Sequence, residues 1–323
     1  MVFCTLVLLR KKNLANMAFD VPVLFIVFNR PDTTAIVFEK IREIKPKKLF
    51  LAADGPRPSK SGEKERCDAV RKIITEGVDW DCDVQLKFSD INLGCGSAES
   101  SAMLWFFESV GEGIVLEDDT LPDTSFFYFC KELLSYYRDD ETVRMIGGNN
   151  FQDGKRRSDG TYYFSNITHS WGYASWWRAW KDYDFELKSI NENKIKELVT
   201  KRFSRTDEKN YWIKVYHGLL SGIYDTWDFQ FLFKMWEKDA VCIIPNKNLV
   251  SNIGFGNNAT HTTNKDDPAA NRPLGHIDKI IHPIKKAVSH EADRFFFKNI
   301  LLQDNQWKRR LKKVLSVLKL SKI

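Results

Sequence analysis

Gly113-Ile-Val-Leu-Glu-Asp-Asp-Thr-Leu-Pro-Asp-Thr-Ser-Phe-Phe127 sets an apolar run directly against three consecutive carboxylates, Glu117, Asp118 and Asp119. The run Gly113–Leu116 reads as a strand buried on both faces. Downstream, Asp123 or Thr124 caps a helix whose stripe is Phe126, Phe129/Cys130, Leu133 and Tyr137. The acids therefore stand at the carboxyl end of a strand, where open parallel sheets bind ligands. Two readings account for them. A divalent cation neutralises the triplet, using one or two carboxylates and completing its shell with phosphate oxygens and water. Alternatively, the acids favour the positive N-terminus of the next helix.

Upstream, the same alternation repeats. Val21–Phe28 is a continuous apolar run ending in Asn29-Arg-Pro31, and Asp32 caps a helix over Thr33–Ile44. A second strand, Lys48–Ala53, stops at Asp54-Gly-Pro56. Lys64–Glu76 follows as a helix and Cys82–Phe88 as a third strand. Asn92-Leu-Gly-Cys-Gly-Ser97 is a turn leading into a helix that runs through Trp105 to Glu108, and Val143–Gly147 is a further strand. Strands alternating with helices at this spacing imply a mostly parallel α/β sheet flanked by helices. Beyond about Asn150 the alternation gives way to aromatic-rich and Asn/Gly-rich segments.

At 323 residues the chain is long enough for one elaborated unit. The expected layout is an extension over 1–20, a main domain over 21–300 with halves at 21–150 and 151–300, and a tail over 301–323. The net charge of +6 is concentrated at the end: Trp307–Ile323 carries seven Lys or Arg and no acid, and without those seven the remainder stands at −1. No nucleic-acid partner is expected of the whole chain. The tail is either a basic amphipathic helix for anionic membrane surfaces or a solvated terminus. Val2–Leu9 is too short to span a bilayer, and its basic residues follow the apolar run, the wrong order for a secretory signal. Six cysteines without CxxC spacing signal neither zinc nor disulfides, so a reducing, cytoplasmic setting is expected.

Phe28-Asn-Arg-Pro31, Ala53-Asp-Gly-Pro56, Asn92-Leu-Gly94, Val115-Leu-Glu-Asp-Asp119 and Ser170-Trp-Gly-Tyr173 together resemble a bacterial GT-A glycosyltransferase. The likeness is to family-2-like nucleotide-sugar transferases related to N-acetylglucosaminyltransferase I. It continues through Trp227-Asp-Phe-Gln230 and Asn252–His261. The resemblance implies a GT-A fold and an inverting transfer from a nucleotide-diphosphate sugar, UDP foremost, to a glycan or glycolipid hydroxyl in cell-surface polysaccharide synthesis. Phe28, Asn29, Arg30, Asp54 and Asn92 would hold the nucleotide. Glu117 and Asp118 would face ribose and donor sugar, with Trp171 and Gly172 beside donor and acceptor. Asp119 would ligate Mn²⁺ or Mg²⁺, and His261, in a Gly/Asn-rich lid-like loop, would touch metal or diphosphate or be a bystander.

A transfer to a hydroxyl needs a base, normally a carboxylate in hydrogen-bond reach. Asp228 is the candidate by resemblance, Asp225 its competitor, and helix capping the plain alternative for either. Relatives often carry Arg or Lys after the Asn92-Leu-Gly94 turn, and this chain does not. In the Trp-rich Ser170–Trp180, Trp171 and Tyr173 suit sugar stacking, while Trp176 and Trp180, four apart, suit one helix face in the core. Rival functions are a metal-dependent nucleotidyltransferase or phosphohydrolase and a non-catalytic sugar-binding protein.

Overall fold

The computed structural model describes residues 19–256 and 267–302. The Val2–Leu9 run, His261 and the basic tail lie outside the described residues.

Strand β1 (Val23–Val27) is buried at every position, because it lies between two parallel neighbours, β2 (Lys48–Ala53) and β4 (Glu112–Glu117), under helices on both faces. Helix α1 (Pro31–Ile44) begins one residue before the expected cap: Pro31 takes the first position, and Arg30 rather than Asp32 is the capping residue. Helix α2 (Glu63–Glu76) leads to β3 (Asp83–Phe88), the largely exposed edge strand. Helix α3 (Cys95–Val110) precedes β4. After the acids, β5 (Thr120–Pro122) pairs antiparallel with β10 (Val250–Asn252). Asp123 then caps α4 (Thr124–Tyr136), its carboxylate accepting from the Ser125 N–H at 2.8 Å.

The second half supplies β6 (Val143–Gly147), β7 (Tyr162–Ser165), β8 (Tyr173–Trp176), the one-turn helix α5 (Trp177–Trp180), α6 (Glu192–Arg202), α7 (Thr206–Leu220), α8 (Asp228–Glu237), β9 (Val241–Pro245) and α9 (His290–Phe296). A π-helical turn, Phe297–Leu301, continues α9. The eight-stranded sheet has the order β3-β2-β1-β4-β8-β6-β9-β7. It is an α/β sheet, parallel among β3, β2, β1 and β4 and between β6 and β9, with β8 and β7 running antiparallel to their neighbours.

Two apolar layers cover the faces. One gathers Phe106, Phe107, Trp180, Trp227 and Trp236; the other gathers Phe25, Phe38, Phe126, Phe127 and Leu133. The expected shared helix face of Trp176 and Trp180 does not form. Trp176 ends β8 and belongs to the second layer, whereas Trp180 stacks on Phe107 in the first, centroids 5.6 Å apart. Tyr173–Trp176 forms a four-residue strand where the aromatic spacing suggests helix, and the helix after it spans only Trp177–Trp180. Tyr173, expected to stack on a sugar, is fully buried in β8 and donates its hydroxyl to the Met103 sulfur at 3.0 Å.

Candidate active site

The carboxyl ends of β1, β2, β4 and β6 and the start of β8 open on a cleft of about 1520 Å³. Of the residues singled out from sequence, Phe28, Arg30, Asp54, Asn92, Glu117, Asp118, Asp119, Trp171, Asp225 and Asp228 line it. Asn29 and Gly172 stand just behind. The Asn29 amide donates to Glu63 at 2.9 Å, tying the end of β1 to the start of α2. Gly172 has φ +61°, and a Cβ there would meet Val250 at 2.9 Å, so it lets β8 pass close to β10.

Arg30 decides the electrostatics of the acidic triplet. Parallel pairing of β1 with β4 sets Ile26 opposite Glu117, so the turn after β1 lies beside the acids. The Arg30 guanidinium bonds Asp118 and, at 2.8 Å, Asp119. Burial alone would lower the guanidinium, but the two carboxylates more than offset that and hold it charged. The Phe28 N–H adds a bond to Asp118 at 3.2 Å. Thr120 closes the strand end, its hydroxyl accepting from the Glu117 N–H at 2.8 Å. Gly254 lies directly over the pair: a Cβ there would sit 2.2 Å from the Asp119 carboxylate.

One guanidinium does not balance the site. Burial, together with the charges of Glu99, Asp119 and Asp118, pushes the Glu117 carboxyl well up. Glu99, on α3, is pushed up by burial and by Asp228 and Asp119, against a bond from the Cys95 thiol at 3.1 Å. Asp119 Oδ1 is buried and has no hydrogen-bond partner among the described residues. Surplus negative charge and an orphaned carboxylate oxygen fit a divalent cation. Among the described residues no group of three His, Cys, Asp or Glu side chains is placed to hold a metal ion. Mg²⁺ and Mn²⁺ accept as few as one or two protein carboxylates.

On the β1–β2 side, Asp54 is engaged by its own loop. It accepts from Gly55 N–H at 2.8 Å, Leu93 N–H at 3.0 Å and the Asn92 amide at 2.8 Å, which shapes the turn leading into α3. The Arg57 guanidinium sits 5.4 Å from the Phe28 ring centroid and bonds Glu63, whose carboxyl that bond pulls down to about 2.

Across the cleft, the two candidate bases separate by their partners. Both oxygens of Asp225 accept backbone N–H groups at the start of α3, from Cys95 at 3.1 Å and Gly96 at 2.9 Å. Asp228 opens α8, and its Oδ1 accepts from the Thr226 hydroxyl at 2.6 Å and the Phe229 N–H at 2.9 Å. Trp171 projects between Phe151 and Phe255, edge-on to both.

Glu99, Asn149 and His169 also line the cleft and were not singled out from sequence. Asn149 carries a signal: Asn149-Asn150 stands one residue past the end of a buried strand, close to where the acids stand on β4. Glu99 had a weaker one, an acid one turn into a helix that starts at a strand-end loop.

No protein-family model and no curated protein matches the chain. Distant likenesses exist among solved structures. The crystal structure of UDP-glucose pyrophosphorylase complexed with UDP-glucose matches at 10% identity and TM-score 0.35, over 70% of this chain and 90% of that one. Mouse xyloside xylosyltransferase 1 matches at 14% and 0.34, over 67% and 81%. HddC from Yersinia pseudotuberculosis matches at 13% and 0.31, over 52% and 84%. At scores this low they carry no argument about this chain, and the case for a function rests on its own side chains.

Proposed function

We propose that the chain is a metal-dependent glycosyltransferase of GT-A type. It would move a sugar from a nucleotide-diphosphate sugar to a hydroxyl of a glycan or glycolipid, with inversion. The supporting observation is the acidic strand end in the cleft: Arg30 satisfies Asp118 and one oxygen of Asp119, while the buried Asp119 Oδ1 has no hydrogen-bond partner among the described residues.

In this proposal Asp119 holds Mn²⁺ or Mg²⁺, with Asp118 and Glu117 beside it. When bound, the cation would supply Lewis-acid stabilisation of the departing nucleoside diphosphate. Phe28, Arg57 and Asn92 flank the nucleotide end, where Asp54 shapes the loop. Asp228 is preferred to Asp225 as the base for the acceptor hydroxyl. Asp225 is committed to capping α3, whereas the Asp228 carboxylate is oriented by Thr226 and Phe229 at the cleft wall. A positioned base contributes a factor of about 10²–10⁴.

The test is a donor screen with the full chain and Mn²⁺, following release of UDP or GDP from UDP- and GDP-sugars and of CMP from CMP-sugars. Asp119→Ala is expected to abolish metal-dependent nucleotide binding. Asp228→Asn is expected to bind donor normally and to lose transfer about 10²–10⁴-fold. Undiminished metal-dependent binding by Asp119→Ala would refute the metal assignment. Formation of nucleoside triphosphate when pyrophosphate is added would instead establish nucleotidyl transfer.

A further inference from the structure

Strand order and register place an uncharged, aromatic subsite immediately beside the acids. Strand β8 runs antiparallel to both β4 and β6, and Tyr173 pairs with Val115 on one side and Gly147 on the other. Just beyond these pairs the Gly148 N–H donates to the Gly172 carbonyl at 2.8 Å, and the next residues, Asn149 and Trp171, line the cleft together with Glu117. Asn149 is 2% exposed and lines the cleft, yet its side-chain Oδ1 has no hydrogen-bond partner among the described residues. Leaving a buried carbonyl unpaired is unfavourable. A position on the wall of a binding cleft removes that cost when a ligand donates to it.

His169 stands next to it, 3% exposed. Burial lowers the imidazole to about 4, so the ring is neutral at ordinary pH. With Nδ1–H donating to the main-chain carbonyl of Asn149 at 3.2 Å, Nε2 is the acceptor. Phe151 stands edge-on to Trp171 at 5.2 Å and Phe296 packs against His169 at 4.4 Å, so apolar ring surface surrounds the two polar groups. Neutral acceptors do not attract a phosphate or carboxylate. Hydroxyl donors on a ring with an apolar C–H face suit them, and a pyranose presents both.

We propose that Asn149 and His169, with Trp171, form the subsite for the sugar ring of the donor, the side-chain carbonyl of Asn149 accepting from a ring hydroxyl. The inference rests on the glycosyl-transfer reading and deepens it. The nucleotide end at β1–β2 and this subsite at β8–β6 lie on opposite sides of the β4 acids, so a nucleotide, diphosphate and sugar follow in that order along the sheet.

Calorimetric titration of the full chain in Mn²⁺ would compare UDP and GDP with their glucose, galactose and N-acetylglucosamine conjugates. The wild type is expected to bind one conjugate more tightly than the parent diphosphate. Asn149→Ala is expected to erase on the order of tenfold of that increment while leaving the diphosphate affinity within about twofold. Retained diphosphate affinity shows that the variant is folded. Trp171→Leu, at a partly exposed position, is expected to do the same without disturbing the buried amide. An increment unchanged in both variants, or no increment in the wild type, overturns the subsite while sparing the nucleotide reading. Failure of the wild type to bind any of these nucleotides overturns both.

Discussion

Arg30 supplies one positive charge to two carboxylates whose side chains are 3% and 8% exposed. Breaking a buried ion pair by removing one partner is costly because the other charge is left without compensation. Arg30→Met is therefore expected to lower stability by roughly 3–5 kcal/mol, read from urea denaturation without metal. Mn²⁺ is expected to restore part of it by replacing the lost charge, and a variant as stable as wild type in metal-free buffer would refute the pairing. Asp293 is a buried carboxylate with no such cation. It is 4% exposed and accepts from Ser165 and from the Asn166 backbone and side chain, with no ion-pair partner among the described residues; burial raises its carboxyl to about 6. A folded-state value above the unfolded one means that stability is fully present below about 4 and is lost as pH rises through 6. Asp293→Asn removes that loss, because Ser165 can accept from the new amide while its hydroxyl donates to the Ile167 carbonyl at 2.9 Å. The variant is expected to gain up to about 3 kcal/mol over wild type at pH 8 and little at pH 4, measured as denaturation midpoints across pH.

Helix α3 begins at Cys95 with no side-chain cap of its own, and Asp225 supplies one from 130 residues away in sequence. A carboxylate at a helix N-terminus satisfies orphan N–H groups and meets the positive end of the dipole. Gly96 makes room for it: a Cβ there would come within 2.8 Å of the Thr226 carbonyl. Asp225→Ala is expected to cost about 1 kcal/mol, visible as a lower thermal midpoint, and to reduce transfer by loosening the segment that leads to Asp228. Asp225→Asn, which keeps an acceptor, is expected to lose less, and equal losses would speak against the cap. This cap shows why elements were legible in the sequence and their partners were not. Apolar runs such as Val23–Val27 and Gly113–Leu116 declare buried strands locally, and Asp123 caps the helix Thr124–Tyr136 from the residue just before it. The Asp225 cap and the Arg30 pair join residues far apart in the chain, and only the strand order brings them together. Strand β8 was missed for a related reason. Its aromatic residues, Tyr173 and Trp176, fit a strand and a helix equally well by composition, and the deciding factor is the slot between β4 and β6.

At the scale of the whole molecule, that slot determines how the chain folds. The first half, up to Asn150, provides β3, β2, β1, β4 and β6, and the alternation of strand and helix there made an α/β sheet readable from sequence. The order β4-β8-β6 was not readable, since it inserts a strand from the second half between two strands of the first. Both apolar layers likewise draw on both halves: Leu24 and Phe106 share one with Trp180 and Trp236, and Phe25 and Phe126 share the other with Tyr162 and Ile243. A fragment ending at residue 150 would leave β4 and β6 with unpaired edges facing each other and would expose the apolar side chains that these partners cover. Exposed strand edges and apolar patches of this kind favour aggregation over folding. The cleft depends on the same interleaving, because its lining takes Asn149 from the end of β6 and Trp171 from the start of β8, the strand inserted between β4 and β6. Urea unfolding of the full chain is therefore expected to be a single transition, with tryptophan fluorescence and far-ultraviolet circular dichroism superimposing. The ten tryptophans all lie beyond residue 79 and mostly in the second half, whereas the circular dichroism reports helices from both, so the two probes sample different parts of the chain. Two separated transitions, or a soluble and cooperatively folded 19–150 fragment, would show that the halves are independent and that the shared sheet is not what holds the site together.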